Sequence, residues 1–152
     1  MSWRQGHETI TLLLRQGHLE QISGEAANGQ YLIDQARQRI TTAATILEAD
    51  PASAYNIAYD GVRQAATALL VQQGLRPKSE GGHIAVVEAV RAQFGEPFQY
   101  FNAMRRRRNK LEYPQSHDDV AVELDAAQEA IAYVQRTVDA VIQLLPQLDL
   151  WR

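Results

Sequence analysis

The sequence predicts an all-α protein, an antiparallel, up-and-down bundle of four main helices with shorter ones between them. Three observations lead to that class. Apolar residues recur three and four positions apart along most of the 152 residues. No segment alternates apolar and polar residues as a half-buried strand would. The last third sets Val120, Leu124, Ala127, Ile131, Val134, Val138, Val141 and Leu145 at spacings that alternate four and three. That is the seam of a helix packed along its whole length.

The first helix is expected from about Thr9 to Ile22, on Leu12, Leu13, Leu19 and Ile22, with Gly17 weakening its middle. Ser23-Gly24 and Asn28-Gly29 bracket a connection, and a second helix follows from about Gln30 to Ala49. Asp50-Pro51-Ala52-Ser53 stops one helix and starts another, with Asp50 or Ser53 as cap. The third helix, to about Gln73, carries Tyr55, Ala58, Tyr59, Val62, Ala65, Ala66, Leu69 and Leu70 on a broad face of small residues that permits close approach. Gly74 is its expected C-terminal stop. A polar loop from Leu75 to Gly82 leads to a shorter helix from about His83 to Phe94, and Gly95-Glu96-Pro97 turns into the next. The final helix is expected from Ser116, an N-cap followed by Asp119 in a partial capping box, to Leu145 before Pro146.

The whole is read as one domain, residues 1–152, with its core at about 28–145. Apolar residues make up 45% and charged residues 22%, the balance of a soluble globular chain. The absence of cysteine rules out disulfides, thiolate zinc sites and Cys nucleophiles. His7-Glu8 has Thr11 where a two-histidine zinc helix needs histidine, so no metal site is expected. No apolar run approaches the roughly 20 residues of a membrane span and no signal-peptide pattern opens the chain, so the expectation is a cytoplasmic protein with no membrane contact and no cofactor.

Fifteen basic against 18 acidic residues give no global attraction to nucleic acid, so an anionic ligand must be drawn locally. The only strong patch is Arg105, Arg106, Arg107, Arg108 and Lys110, in a helix that ends on Tyr113-Pro114. Pro97, Tyr100, Phe101, Met104 and Leu111 define its apolar face at about 100° per residue. Arg106 and Lys110 point away from that face, Arg105 and Arg107 lie at its edges, and Arg108 falls in its middle. A guanidinium there is costly unless it is paired or lines a solvated cleft.

The order of elements, with Tyr55 to Gly74, the loop Lys78-Ser79-Glu80-Gly81-Gly82-His83 and above all Arg108-Asn109 with Tyr113, resembles the HEPN superfamily over about residues 28–145. The family signature is an arginine, often followed by a polar residue such as Asn, and a histidine four to six residues later. Here the histidine position holds Tyr113. The resemblance implies a homodimer whose two motifs face each other in a cleft. It also implies a metal-independent ribonuclease-type toxin, or an RNA- or nucleotide-binding component of a toxin–antitoxin or defence system, partnered by an antitoxin or a minimal nucleotidyltransferase. Its other implication is a non-catalytic module that binds a protein or nucleotide.

Metal-free RNA cleavage needs a base for the 2′-hydroxyl, an acid for the leaving oxygen and a cation for the phosphorane. On the resemblance, Arg108 supplies the planar fork and Asn109 holds a phosphate or ribose oxygen. Tyr113 can donate a proton but, with a phenol pKa of about 10, is a poor base at pH 7. His117, nine positions after Arg108, is either a surface residue of a first turn or a substitute base. Arg105, Arg106, Arg107 and Lys110 either bind substrate or form a solvated face that favours the helix C-terminus. Arg108 itself either binds ligand or pairs with a carboxylate across the bundle. Tyr113 is equally readable as a packed helix-exit residue, His83 as a helix start, and Tyr55 and Tyr59 as core. The resemblance, together with an aromatic-rich face at Phe98, Tyr100 and Phe101, leads to the expectation of a homodimer with the arginine helix at or near its interface.

Overall fold

The computed structural model describes residues 3–78 and 82–152. Part of the expected polar loop, Ser79, Glu80 and Gly81, lies outside the described residues. The chain is mostly α-helical: α1 His7–Arg15, α2 Gln30–Ile46, α3 Pro51–Gln72, α4 Gly82–Phe94, α5 Phe101–Glu112 and α6 Leu124–Leu144, with short 3-10 turns between them. The all-α bundle predicted by the apolar periodicity is the observed class.

Helix α3 is the axis of the bundle and packs against α2, α4, α5 and α6. Its buried face is built of Ala54, Ala58, Gly61, Ala65, Ala66 and Ala68 interleaved with Tyr59, Val62, Leu69 and Leu70. Small side chains let neighbouring backbones come close. A Cβ at Gly61 would lie 3.3 Å from Val134 of α6 and 3.5 Å from the Ala36 carbonyl of α2. Asp50 caps α3: its carboxylate accepts from the Ser53 backbone N–H at 3.1 Å and from Ser53 Oγ at 2.6 Å. Pro51 follows at the first turn, where its missing N–H costs nothing.

The first helix is shorter than expected. It stops at Arg15 because Gly17, at φ +76°, closes a Schellman turn. The Gly17 N–H donates to the Leu14 carbonyl at 3.1 Å and the His18 N–H to the Leu13 carbonyl at 3.0 Å. Gly17 therefore ends α1; it does not weaken the middle of a helix reaching Ile22. Beyond it the chain is extended, and strand β1, Leu19–Gln21, pairs antiparallel with β2, Leu75–Pro77. This ribbon corrects the expectation of no strand. Three residues per strand are too few to show alternation, and the partners lie more than fifty positions apart in sequence. Gly74, at φ +73°, turns α3 into β2, and its carbonyl accepts from Ile22 at 2.8 Å.

The last helix begins at Leu124, eight positions after the expected start, with residues 117–120 in a separate 3-10 turn. Arg107 accounts for the break. Its guanidinium donates to the backbone carbonyls of Asp119, at 2.9 Å, and Ala121. Asp119 also spends its carboxylate on the Gln115 N–H at 2.9 Å. Ser116 makes no side-chain cap. Val120, expected in the packing seam, is 42% exposed.

The core runs under α5 as well. Phe98 and Phe101 are fully buried and meet at a tilted angle, and Phe101 also contacts Tyr59. Two of the three aromatic residues that suggested an interface are thus used inside the chain's own core; Tyr100, 54% exposed, is the remainder. Among the described residues no helix is long and apolar enough to cross a membrane.

Candidate functional site

Helix α5 sorts its cations as the wheel predicts. Arg106 and Lys110 are exposed, Arg105 and Arg107 are half-buried, and the Arg108 side chain retains 22% of its exposure. Arg108 lies over the ring of Tyr59 on α3, with Cζ 5.7 Å from the ring centroid. Its Nη2 is 2.7 Å from Glu112 Oε1, one turn along the same helix. The carboxylate partner of Arg108 is therefore local and not across the bundle. Arginine preceding glutamate is the weaker order for a helical i,i+4 pair, so the aromatic ring carries much of the positioning.

Tyr59 joins the arginine helix to α4. Its ring is fully buried, and its hydroxyl lies 3.2 Å from Nδ1 of His83. Burial raises the Tyr59 pKa, against the pull of Arg63, Arg108 and Arg105, so the phenol is neutral near pH 7. His83 is exposed as a residue, yet its ring sits against Tyr59. Burial, followed by the charges of Arg63 and Arg108, holds its imidazole below the usual range, with Asp60 opposing. Arg63, one turn after Tyr59, has Nη2 3.8 Å from Asp60 and a buried Nε with no hydrogen-bond partner among the described residues. Arg105 Nε donates to Asn102 Oδ1 at 3.0 Å. Arg105 and Asn102 also line a groove of about 810 Å³ between α4 and α5, together with Arg91, Glu88 and Glu96.

The expected site residues do not all converge. Arg108 and Arg105 share the Tyr59–His83 cluster. Arg107 faces the other way: two of its donors hold the 117–121 turn, and its charge is felt by Tyr55. Asn109 is exposed, and its carbonyl accepts from the Tyr113 N–H at 2.9 Å. Tyr113 caps the end of α5 and is 76% exposed, so it is not a packed helix-exit residue. His117 lies on the outlying 3-10 turn. Neither of these two side chains makes a hydrogen bond, ion pair or ring contact among the described residues.

Tyr59, Arg63 and His83 are the members that the sequence did not assign to the site. One signal was present: Tyr55, Tyr59 and Arg63 recur at intervals of four, which places a cation on the tyrosine face of α3. A second concavity, of about 530 Å³, lies between α3, α5 and α6 and is lined by Tyr55, Tyr100, Met104, Ala130, Tyr133 and Arg136. No group of three or more metal-ligating side chains occurs among the described residues.

The arrangement is a helical scaffold in which a neutral Tyr–His pair lies in the field of the Arg63, Arg105 and Arg108 guanidinium groups. Such a site can hold an anion through planar donors and move a proton at one imidazole. Comparison with protein-family models, curated proteins and solved structures gives no match.

Proposed function

We propose that this chain is a HEPN-like protein that binds RNA or a nucleotide through the phosphate backbone, as a component of a toxin–antitoxin or defence system. The observation that carries the reading is Arg108, held over the Tyr59 ring with Arg105 and Arg63 beside it. A fork that is partly desolvated and fixed in place stabilises a phosphate more than a free side chain in water does. The groove bounded by Arg91 and Arg105 offers a path for the strand on either side. An antitoxin or a minimal nucleotidyltransferase is the expected protein partner, and a homodimer the expected assembly.

Ribonuclease chemistry through Tyr113 or His117 has less support, because neither side chain meets Arg108 within a protomer. The binding reading therefore comes before the catalytic one. Its test is the affinity of a short single-stranded RNA for Arg108→Ala, Arg108→Lys and Arg106→Ala, after folding is checked by circular dichroism. Arg108→Lys should lose nearly as much affinity as Arg108→Ala, because a point charge does not replace the fork. Arg106→Ala should be almost silent. Equal losses at Arg106 and Arg108 would reduce the site to a general electrostatic patch. Light scattering at micromolar concentration decides the assembly.

A further inference from the structure

We propose that Tyr59, Arg63, His83 and Arg108 form one proton-linked site for a phosphodiester, in which His83 takes up a proton as the anion binds. This rests on the reading that a nucleic-acid strand docks at α5, and extends that site onto α3 and α4.

The geometry comes first. His83 is anchored at one nitrogen only: Nδ1 lies against the hydroxyl of the buried Tyr59, and Nε2 has no partner among the described residues. The guanidinium groups that flank it are incompletely used. Arg63 has a buried Nε without an acceptor, and its contact with Asp60, at 3.8 Å, is too long for a hydrogen bond. Arg108 commits one nitrogen to Glu112 and its face to Tyr59. An oxyanion that meets Nε2 of His83 and the remaining nitrogens of Arg108 would lie in the field of Arg63 as well.

Among the described residues, the groups that bear on His83 fix the sign of the linkage. From α3 come Tyr59, Asp60 and Arg63, and from α5 come Arg105 and Arg108, the latter paired with Glu112. Strand β2, which also packs on α4, brings Arg76, which is tied to Glu20. The nearest charge on α4 itself is Glu88, exposed and five residues on. Burial and the excess of cations keep the free imidazole neutral at pH 7. A phosphodiester bound among the arginines cancels part of their field and pairs through Nε2–H more strongly with the cationic ring than with the neutral one. The bound pKa is then above the free one. Affinity rises as pH falls through the bound value and levels off below the free value.

A phosphodiester keeps one negative charge throughout this range, so the dependence belongs to the protein. The experiment measures anisotropy of a rhodamine-labelled, 5′-hydroxyl oligoribonucleotide at constant ionic strength between about pH 5.5 and 8.0, the histidine range. Wild type should bind more tightly toward the acid end, by up to about tenfold for each unit by which the two pKa values differ. His83→Gln, which can still hydrogen-bond Tyr59, should lose the slope. His117→Gln should keep the slope, and Arg63→Gln should weaken binding at every pH. An unchanged slope in His83→Gln overturns the inference and leaves the docking reading intact. Absence of RNA binding at any pH overturns the docking reading instead. The site is then decided by the imidazole NMR titration of His83 with inorganic sulfate: a raised pKa upholds it and an unmoved one rejects it.

Discussion

The guanidinium of Arg108 rests on the face of Tyr59, with Cζ 5.7 Å from the ring centroid, while the hydroxyl of the same ring meets Nδ1 of His83 at 3.2 Å. One buried side chain therefore orients two functional groups that come from different helices. The contacts are separable. Tyr59→Phe should keep the platform under Arg108 and leave RNA affinity at alkaline pH within about twofold of wild type. Tyr59→Leu should lower it about three- to fivefold, the equivalent of roughly 0.5–1 kcal/mol for a cation–π contact. Equal affinities for the two variants would show that the ring does not position Arg108.

Arg107 has a structural task that its neighbours do not share. Removing it frees the carbonyls of Asp119 and Ala121, so Arg107→Ala should speed amide hydrogen exchange in residues 115–121 and leave that of α3 unchanged. RNA affinity should fall less than in Arg108→Ala. Unchanged exchange in that turn would mean that the clasp does not hold it.

A reciprocal amide pair crosses the core where α3 ends. Gln73 Nε2 donates to Gln93 Oε1 at 2.7 Å, and Gln93 Nε2 donates back at 3.0 Å, both residues being buried. Either single change to Leu leaves a buried amide unpaired, at a cost of about 1–3 kcal/mol. The double change Gln73→Leu/Gln93→Leu should cost clearly less than the sum of the singles. Urea unfolding of the three variants measures this, and strict additivity would refute the coupling.

Asp50 links the α3 cap to acidity. Its hydrogen bonds from the Ser53 hydroxyl and backbone lower its pKa below the ordinary 3.8. A carboxylate with a depressed folded pKa stabilises the fold above the unfolded value and loses that contribution as pH falls through the folded one. The melting temperature of wild type should therefore exceed that of Asp50→Ala above about pH 5, with the gap closing below pH 3.8. A gap that stays constant down to about pH 2 would mean that the cap acts without its charge.

Much of this architecture is local and was legible in the chain. The 3.6-residue period, the Asp50-Pro51 start and the Gly74 stop give α2, α3 and most of α6, because each rests on contacts within a few residues. The outward direction of Arg106 and Lys110 and the inward one of Arg108 follow from the same period. Tertiary structure decided the rest. Strands β1 and β2 exist only because two distant segments meet, and the delayed start of α6 follows from one arginine reaching the carbonyls of residues twelve and fourteen positions away. Gly17 signalled a break, but whether it interrupts a helix or ends one depends on what the following strand can pair with. The candidate site divides in the same way. Composition and periodicity single out Arg108, a cation on an apolar face. That its ring is Tyr59 and its histidine His83, 25 positions before it in sequence, was decided by the packing of α4 and α5 on α3, since no pattern along a chain encodes which helices become neighbours.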